Sequence, residues 1–185
     1  MTLMMTDRTA ADANSTGIAA DIIFYDSDIC VLGMVLVASS AQGVCAVLLG
    51  DSVGELTADL ALRFPKATLI ANKVAMANAL ARVVRYIDAP AQGLDLPLDL
   101  RGTPFQRRVW EALQPIAVGT TVTYRELAEM IGSPMASRAV AGACAANPIA
   151  LAVPCHRVIG SNGDLAGYRW GLSRKRHLIE KESRI

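Results

Sequence analysis

Thr123-Tyr124-Arg125-Glu126-Leu127-Ala128-Glu129-Met130-Ile131-Gly132-Ser133-Pro134 decides how the second half of the chain folds. Thr123 followed three residues later by Glu126 is a capping box, in which each side chain satisfies the other's orphan backbone N–H. It opens a short helix to about Ile131. Gly132-Ser133-Pro134 then turns the chain into a further helix, Met135 to Ala146, which Asn147-Pro148 ends. Two short helices joined by a tight glycine-containing turn read as a helix-turn-helix. Upstream, Thr103-Pro104-Phe105-Gln106 is a second capping box with proline at the first helical position, opening a helix to about Leu113. Downstream, Ser173 is placed to cap a final helix carrying Arg174, Lys175 and Arg176.

The first half reads differently. Residues 1–20 are small and polar without periodicity and are expected to be a flexible tail. Ile22–Tyr25, Val31–Ala38 and Val44–Leu49 are β-rich runs separated by Asp, Ser and Gly, which suits antiparallel hairpins. Asp51 or Ser52 can cap a helix to about Phe64, stopped by Pro65. Apolar spacing at Leu80, Val83, Val84 and Ile87 predicts a second helix over Val74–Ile87, and Leu96–Leu100 reads as a short strand. The expected organisation is an α/β lobe over 21–101 and a mostly α lobe over 102–185.

Bulk properties narrow the function. An apolar content of 52% supports a core, and no apolar run is long enough to span a bilayer. No basic region followed by an apolar segment opens the chain, so a cytoplasmic location is expected. Cys30, Cys45, Cys144 and Cys155 form no CxxC pair, and only His156 and His177 could join them, which argues for free thiols rather than zinc. The net charge of +1 hides an asymmetry: residues 1–100 carry 6 Lys or Arg against 11 Asp or Glu, and residues 101–185 carry 12 against 6. A polyanionic partner suits the basic half.

That half also holds the chemistry. Val153-Pro154-Cys155-His156-Arg157-Val158 sets a thiol beside an imidazole, and a thiolate generated by a nearby base is the strongest nucleophile among side chains. The helix before it is odd. Ala139, Val140, Ala143 and Cys144 can form a core face, which leaves Ser137, Arg138, Ala141, Gly142 and Ala145 opposite. A glycine inside a helix costs about 1 kcal/mol relative to alanine. Tiny side chains around one arginine let the helix press closely on something, either another helix or a ligand. Cys30, Cys45, Cys144 and Trp110 read as core, and His177 as surface.

Together, Arg101-Gly102-Thr103, Phe105-Gln106, Val109-Trp110, Tyr124, Arg138-Ala139-Val140, Asn147-Pro148, Pro154–Val158, Gly167-Tyr168-Arg169-Trp170-Gly171 and the final helix resemble the O6-alkylguanine-DNA alkyltransferases. Gly43–Asp51 and Leu96-Pro97-Leu98 match more loosely. These proteins reverse DNA alkylation directly. The resemblance implies a ribonuclease-H-like N-terminal lobe and a winged-helix-like helix-turn-helix in the C-terminal lobe. It implies that Arg138, with Ala136, Ser137, Ala139, Ala141 and Gly142, meets the DNA minor groove, and that Arg138 fills the gap left by a flipped base. Cys155 becomes the alkyl acceptor. His156 acts on it through water and is oriented by a carboxylate, Glu182 or its neighbour Glu180. Tyr124 gives a hydrogen bond or proton to the leaving guanine, and Asn147 ties the site together. Pro154, Val158, Tyr168, Arg169 and Trp170 shape the pocket, and the bulk of Arg169 and Trp170 is expected to crowd substituents larger than methyl.

The implied activity is a single transfer per protein molecule, since a thioether is not readily hydrolysed and no regenerating group is visible. It involves no metal and no cofactor. The implied partner is double-stranded DNA carrying O6-methylguanine or O4-methylthymine. The implied protein is a monomer, nucleoid-associated and not membrane-bound. Two other classes stay open on the residues alone. A cysteine hydrolase or thiol transferase would use Cys155, His156 and Glu182 but leaves the helix-turn-helix unexplained. A transcription regulator would use the helix-turn-helix alone.

Overall fold

Three strands rich in Val, Ile and Leu, Ile22–Cys30 (β1), Gly33–Ser40 (β2) and Gly43–Gly50 (β3), form an antiparallel meander, with Tyr25 opposite Ala38 and Val35 opposite Leu49. They belong to a computed structural model that describes residues 21–185, so the tail expected over 1–20 lies outside the described residues. Val35–Ala38 and Val44–Leu49 are buried without alternation, as strands covered on both faces must be.

The sheet is mixed rather than purely antiparallel. Thr68–Ala71 (β4) lies parallel to β1, giving the order β3-β2-β1-β4. This strand has four residues, none fully buried, so it carries no alternation to read. The strand expected over Leu96–Leu100 reduces to one bridge between Leu98 and Val44, because Pro97 cannot donate to a ladder.

Helix Val53–Arg63 (α1) is capped by Ser52 rather than Asp51, and Lys73–Asp88 (α2) by Asn72. Both pack on the sheet. In the second half, Pro104–Leu113 (α3) and Tyr124–Met130 (α4) start with the capping boxes expected of Thr103/Gln106 and Thr123/Glu126. Helix Ser137–Ala146 (α5) begins two residues later than the sequence suggests, because Ala136 N–H closes a turn onto the Ser133 carbonyl at 2.8 Å. Trp110 is buried core, and its indole N–H donates to the Ala143 carbonyl at 2.9 Å, which pins α3 to α5.

A two-residue parallel pair, Val122–Thr123 (β5) and Val158–Ile159 (β6), joins the start of α4 to the end of the Cys-His-Arg string. The last helix, Leu172–Glu182 (α6), is preceded by Gly171 and has no side-chain cap. Ser173 lies within its first turn, not at the cap. Val47 exchanges backbone hydrogen bonds with Pro148 and Ala150, so the sheet edge buttresses the segment leading to Cys155. One apolar core runs through both halves.

Candidate active site

Asn147 ends α5 and organises the turn beyond it. Its Oδ1 accepts from Ile149 N–H at 2.9 Å, and its Nδ2 donates to the Val153 carbonyl at 2.8 Å and the Cys155 sulfur at 3.2 Å. The turn it spans contains Leu151 at φ 71°, a left-handed conformation that a leucine adopts only when its surroundings impose it. Asn147 is therefore a structural tie and a hydrogen-bond donor to the thiol at once.

Cys155-His156-Arg157 form a single 3₁₀ turn. Three residues per turn send successive side chains in different directions. Cys155 faces a pocket of ≈390 Å³ that is also lined by Tyr124, Ala141, Cys144, Ala145, Ala166, Gly167, Tyr168 and Arg169. His156 and Arg157 point into the protein, toward Glu182. Both are buried, and so is Glu182.

Glu182 is the orienting carboxylate; Glu180 is exposed. Neutral His156 donates its Nε2–H to Glu182 Oε1 at 2.8 Å, leaving Nδ1 buried, with a free lone pair and no protein partner. Arg157 grips the same carboxylate from Nε at 2.8 Å and Nη2 at 2.9 Å, and also donates to the Tyr86 hydroxyl and the Ile116 carbonyl. Tyr86 O–H and Gly119 N–H complete the shell at 3.3 Å each. Burial works to raise the Glu182 carboxyl, but the hydrogen bonds and charges of His156 and Arg157 outweigh it and hold it at about 2. Burial lowers His156 despite the carboxylate, so the imidazole rests neutral.

Burial also pushes the Cys155 thiol up to about 11, against the Asn147 hydrogen bond and the Lys175 charge, which both favour the thiolate. Tyr124 is pushed up to about 12 by burial, and its hydroxyl donates to the Ala166 carbonyl at 3.0 Å. The Lys175 ammonium is fully buried and donates to the carbonyls of Val158, Ala166 and Gly167 at 2.5, 2.7 and 3.1 Å. It thereby fastens the pocket loop to α6.

The structure brings Cys155, Asn147, Tyr124, Tyr168 and Arg169 together, with His156 and Glu182 behind the thiol. Three pocket assignments need correction. Trp170 does not line this pocket; it packs edge-on against Tyr168, with ring centroids 5.1 Å apart, in a groove that faces Leu56 and Asp59 of α1. Pro154 lies on the other side of the turn, and Val158 contributes its carbonyl to Lys175 rather than a wall. On α5, Val140, Ala143 and Cys144 are buried, but Ala139 is exposed and joins Arg138 and Gly142 on the open face. Ala136, Ser137 and Ala141 are half-buried beside them. A Cβ added at Gly142 would meet nothing within 4 Å, so packing inside the protein does not demand this glycine.

Sequence reasoning missed Arg157, Tyr86, Lys175 and the pocket position of Cys144. Arg157 stood in plain view beside His156, but an arginine in a basic half gives no sign of burial. Lys175 is one of three consecutive cations on the final helix, and only its position on the inner face of α6 sets it apart.

The chain matches the model of the 6-O-methylguanine DNA methyltransferase DNA-binding domain over residues 104–184. It is 47% identical over 154 residues to the bifunctional transcriptional activator/DNA repair enzyme Ada of Escherichia coli, covering 83% of this chain but only 44% of Ada, so it spans less than half that protein's length. It is 51% identical over 113 residues to the methylated-DNA–protein-cysteine methyltransferase of Mycolicibacterium paratuberculosis, covering 61% of this chain and 68% of that protein. The crystal structure of Mycobacterium tuberculosis OGT in complex with DNA superposes with a TM-score of 0.73 at 35% identity, over 87% of this chain and 93% of that one.

Proposed function

Since the chain belongs to the 6-O-methylguanine DNA methyltransferase family, we propose that it repairs O6-alkylated guanine in double-stranded DNA by moving the alkyl group to its own Cys155. The observation that carries this reading is the placement of Cys155. It is a buried thiol at the wall of a pocket large enough for one base, with a neutral imidazole and an ionised carboxylate behind it.

The sulfur attacks the alkyl carbon, the carbon–oxygen bond at O6 breaks, and the electron pair returns to the guanine ring. The thiol proton leaves to His156 Nδ1 through one bridging water, a role for which its free lone pair suits it. Glu182, Arg157 and Tyr86 hold the imidazole in that tautomer. Tyr124, kept protonated by its raised pKa, donates to the ring as it leaves. The product is a thioether, so each molecule acts once.

A stacked base hides its O6 substituent, so the nucleotide must flip into the pocket. The open face of α5 supports this step: Arg138 is exposed among Ala139, Gly142 and the half-buried Ser137 and Ala141, with Ala136 leading in. The unforced glycine leaves room for a minor groove, where Arg138 takes the vacated place. O4-methylthymine, of similar shape at the reacting atom, is the second substrate. The lobe boundary we read is 101/102, with a ribonuclease-H-like first lobe and a winged-helix-like second lobe acting as a monomer in the cytoplasm at the nucleoid. Among the described residues no helix is long and apolar enough to cross a membrane.

Incubation with duplex DNA containing O6-methylguanine, followed by intact-mass and peptide analysis, tests the reading. One methyl group on the peptide with Cys155, and no turnover under substrate excess, is expected. Multiple turnovers or methylation elsewhere would refute it.

A further inference from the structure

One wall of the acceptor pocket is anchored in the other half of the molecule. Tyr168, Arg169 and Trp170 form a strap between Gly167 at φ 45° and Gly171 at φ 95°, backbone conformations that other residues rarely adopt. Arg169 lines the acceptor pocket on one side of the strap and the α1 groove on the other. Its Nη2 donates to Asp59 Oδ1 at 2.8 Å, across 110 residues of sequence. The second oxygen of Asp59 accepts from Arg63 Nε at 3.1 Å, so the carboxylate is locked from both sides. Asp59 is the acidic partner of two arginines, and one of them, Arg63, keeps a buried guanidinium nitrogen without any partner. Beside this latch, Trp170 fills the groove against α1, and Arg174 ties the Trp170 carbonyl to the Leu32 carbonyl and the Asp51 carboxylate.

We propose that Asp59 on α1 is a specificity-determining positioning residue for the acceptor site: by holding Arg169 it keeps the pocket wall closed to large O6 substituents. Asp59 touches neither Cys155 nor the pocket and acts only through Arg169. The first half of the chain thus contributes substrate selection to a reaction carried out by the second half. The inference rests on the alkyl-transfer reading of Cys155.

The mechanism lies in the strap's fastenings. The Gly167 and Ala166 end is fixed by Lys175 and the Trp170 end by Arg174, so Asp59 fixes the middle. Asp59→Asn keeps the shape but removes the charge and leaves Arg169 facing the Arg63 cation. The middle of the strap is then no longer fastened, so the wall yields when pushed from the pocket side, and substituents larger than methyl gain room. Methyl, which fits the closed pocket, gains nothing.

The test compares rates of Cys155 alkylation by O6-methylguanine duplex DNA and by free O6-benzylguanine, with melting temperatures beside them, in the unmodified protein, Asp59→Asn, Arg169→Ser and the double variant. Asp59→Asn is expected to raise the benzyl-to-methyl rate ratio about two- to fivefold, the range a partly exposed ion pair supports. Arg169→Ser is expected to raise it as well, and adding Asp59→Asn to Arg169→Ser should change it no further, because the two act as one unit. An unchanged ratio in Asp59→Asn, or the same rise on the Arg169→Ser background, overturns the proposal while methyl transfer leaves the alkyl-transfer reading intact. Absence of methyl transfer in the unmodified protein overturns both.

Discussion

Glu182→Gln removes one negative charge from a site where it faces two buried nitrogen bases. The carboxyl sits at about 2 against an ordinary 4.5, and each unit is worth about 1.4 kcal/mol. The folded state therefore favours the ionised form by roughly 3 kcal/mol. Breaking a buried ion pair by removing one partner costs about 3–5 kcal/mol, because the remaining charge is left uncompensated. Here that charge is Arg157, whose guanidinium would keep only the Tyr86 hydroxyl, the Ile116 carbonyl and a neutral amide. Both routes give about 3 kcal/mol at neutral pH, or a melting temperature lower by about 6–12 °C for a chain of this size. The pH dependence carries a sign. Because the folded pKa is depressed, the stabilisation is fully present above 4.5 and is lost as pH falls through about 2. The gap between Glu182→Gln and the unmodified protein should therefore narrow on acidification. Urea unfolding followed by circular dichroism, at neutral pH and stepwise down to pH about 3, measures it. A neutral-pH gap below about 1 kcal/mol, or one that stays constant on acidification, would refute the reasoning, since either requires a carboxyl that is not held ionised by its neighbours.

Four further outcomes are expected. Cys155→Ser should abolish methyl transfer while retaining affinity for duplex DNA, read by mass spectrometry and by gel shift. Arg138→Ala should slow repair in duplex DNA much more than reaction with the free base, and an equal loss on both substrates would count against its role in extrusion. Trp170→Gly should lower stability by about 3 kcal/mol, because it empties a buried aromatic site; a melting curve unchanged from the parent protein would contradict the packing described. Reaction of Cys155 with iodoacetamide should stay slow near neutrality and climb as pH rises toward about 11, and a plateau already reached near neutral pH would show a free thiolate that burial does not suppress.

Much of this molecule was legible because short-range chemistry and tertiary structure agree. Thr103/Gln106 and Thr123/Glu126 announce helix starts whose capping bonds are local, so no distant contact is needed to place them. Asn147, Cys155, His156 and Tyr124 were singled out by the family resemblance, and the structure sets Asn147 on the Cys155 sulfur and Tyr124 in the same pocket. What escaped was set by contacts remote in sequence. β4 is a strand only because β1 lies beside it, 46 residues earlier in register at Ile22 and Thr68. Ser173 had the chemistry of a cap, but Gly171 and the strap before it decide where α6 begins. Trp170 was assigned to the pocket because its loop resembles the pocket lid of the family, whereas α1, far away in sequence, offers it a groove. Arg157 and Lys175 are cations whose burial depends on acceptors 25 residues and 8 to 17 residues away, which no local pattern encodes.

The shifted groups fit one another in a way that bears on how a buried, protonated thiol can be an acceptor at all. Cys155 at about 11 is almost entirely thiol near neutrality, so stray electrophiles meet little thiolate. In the proposed alkyl transfer the proton leaves sulfur as the sulfur attacks, and the departing guanine ring takes up the electron pair. Tyr124, the phenol proposed to donate to the base, is raised by burial to about 12 and so is also protonated near neutrality. Burial lowers His156, so it is a weak base at rest. In the proposed reaction it takes the proton on Nδ1 while Glu182, bonded at Nε2, stabilises the imidazolium. The same burial therefore keeps the thiol protonated at rest, and the proposed transfer couples the loss of its proton to the arrival of a guanine in the pocket.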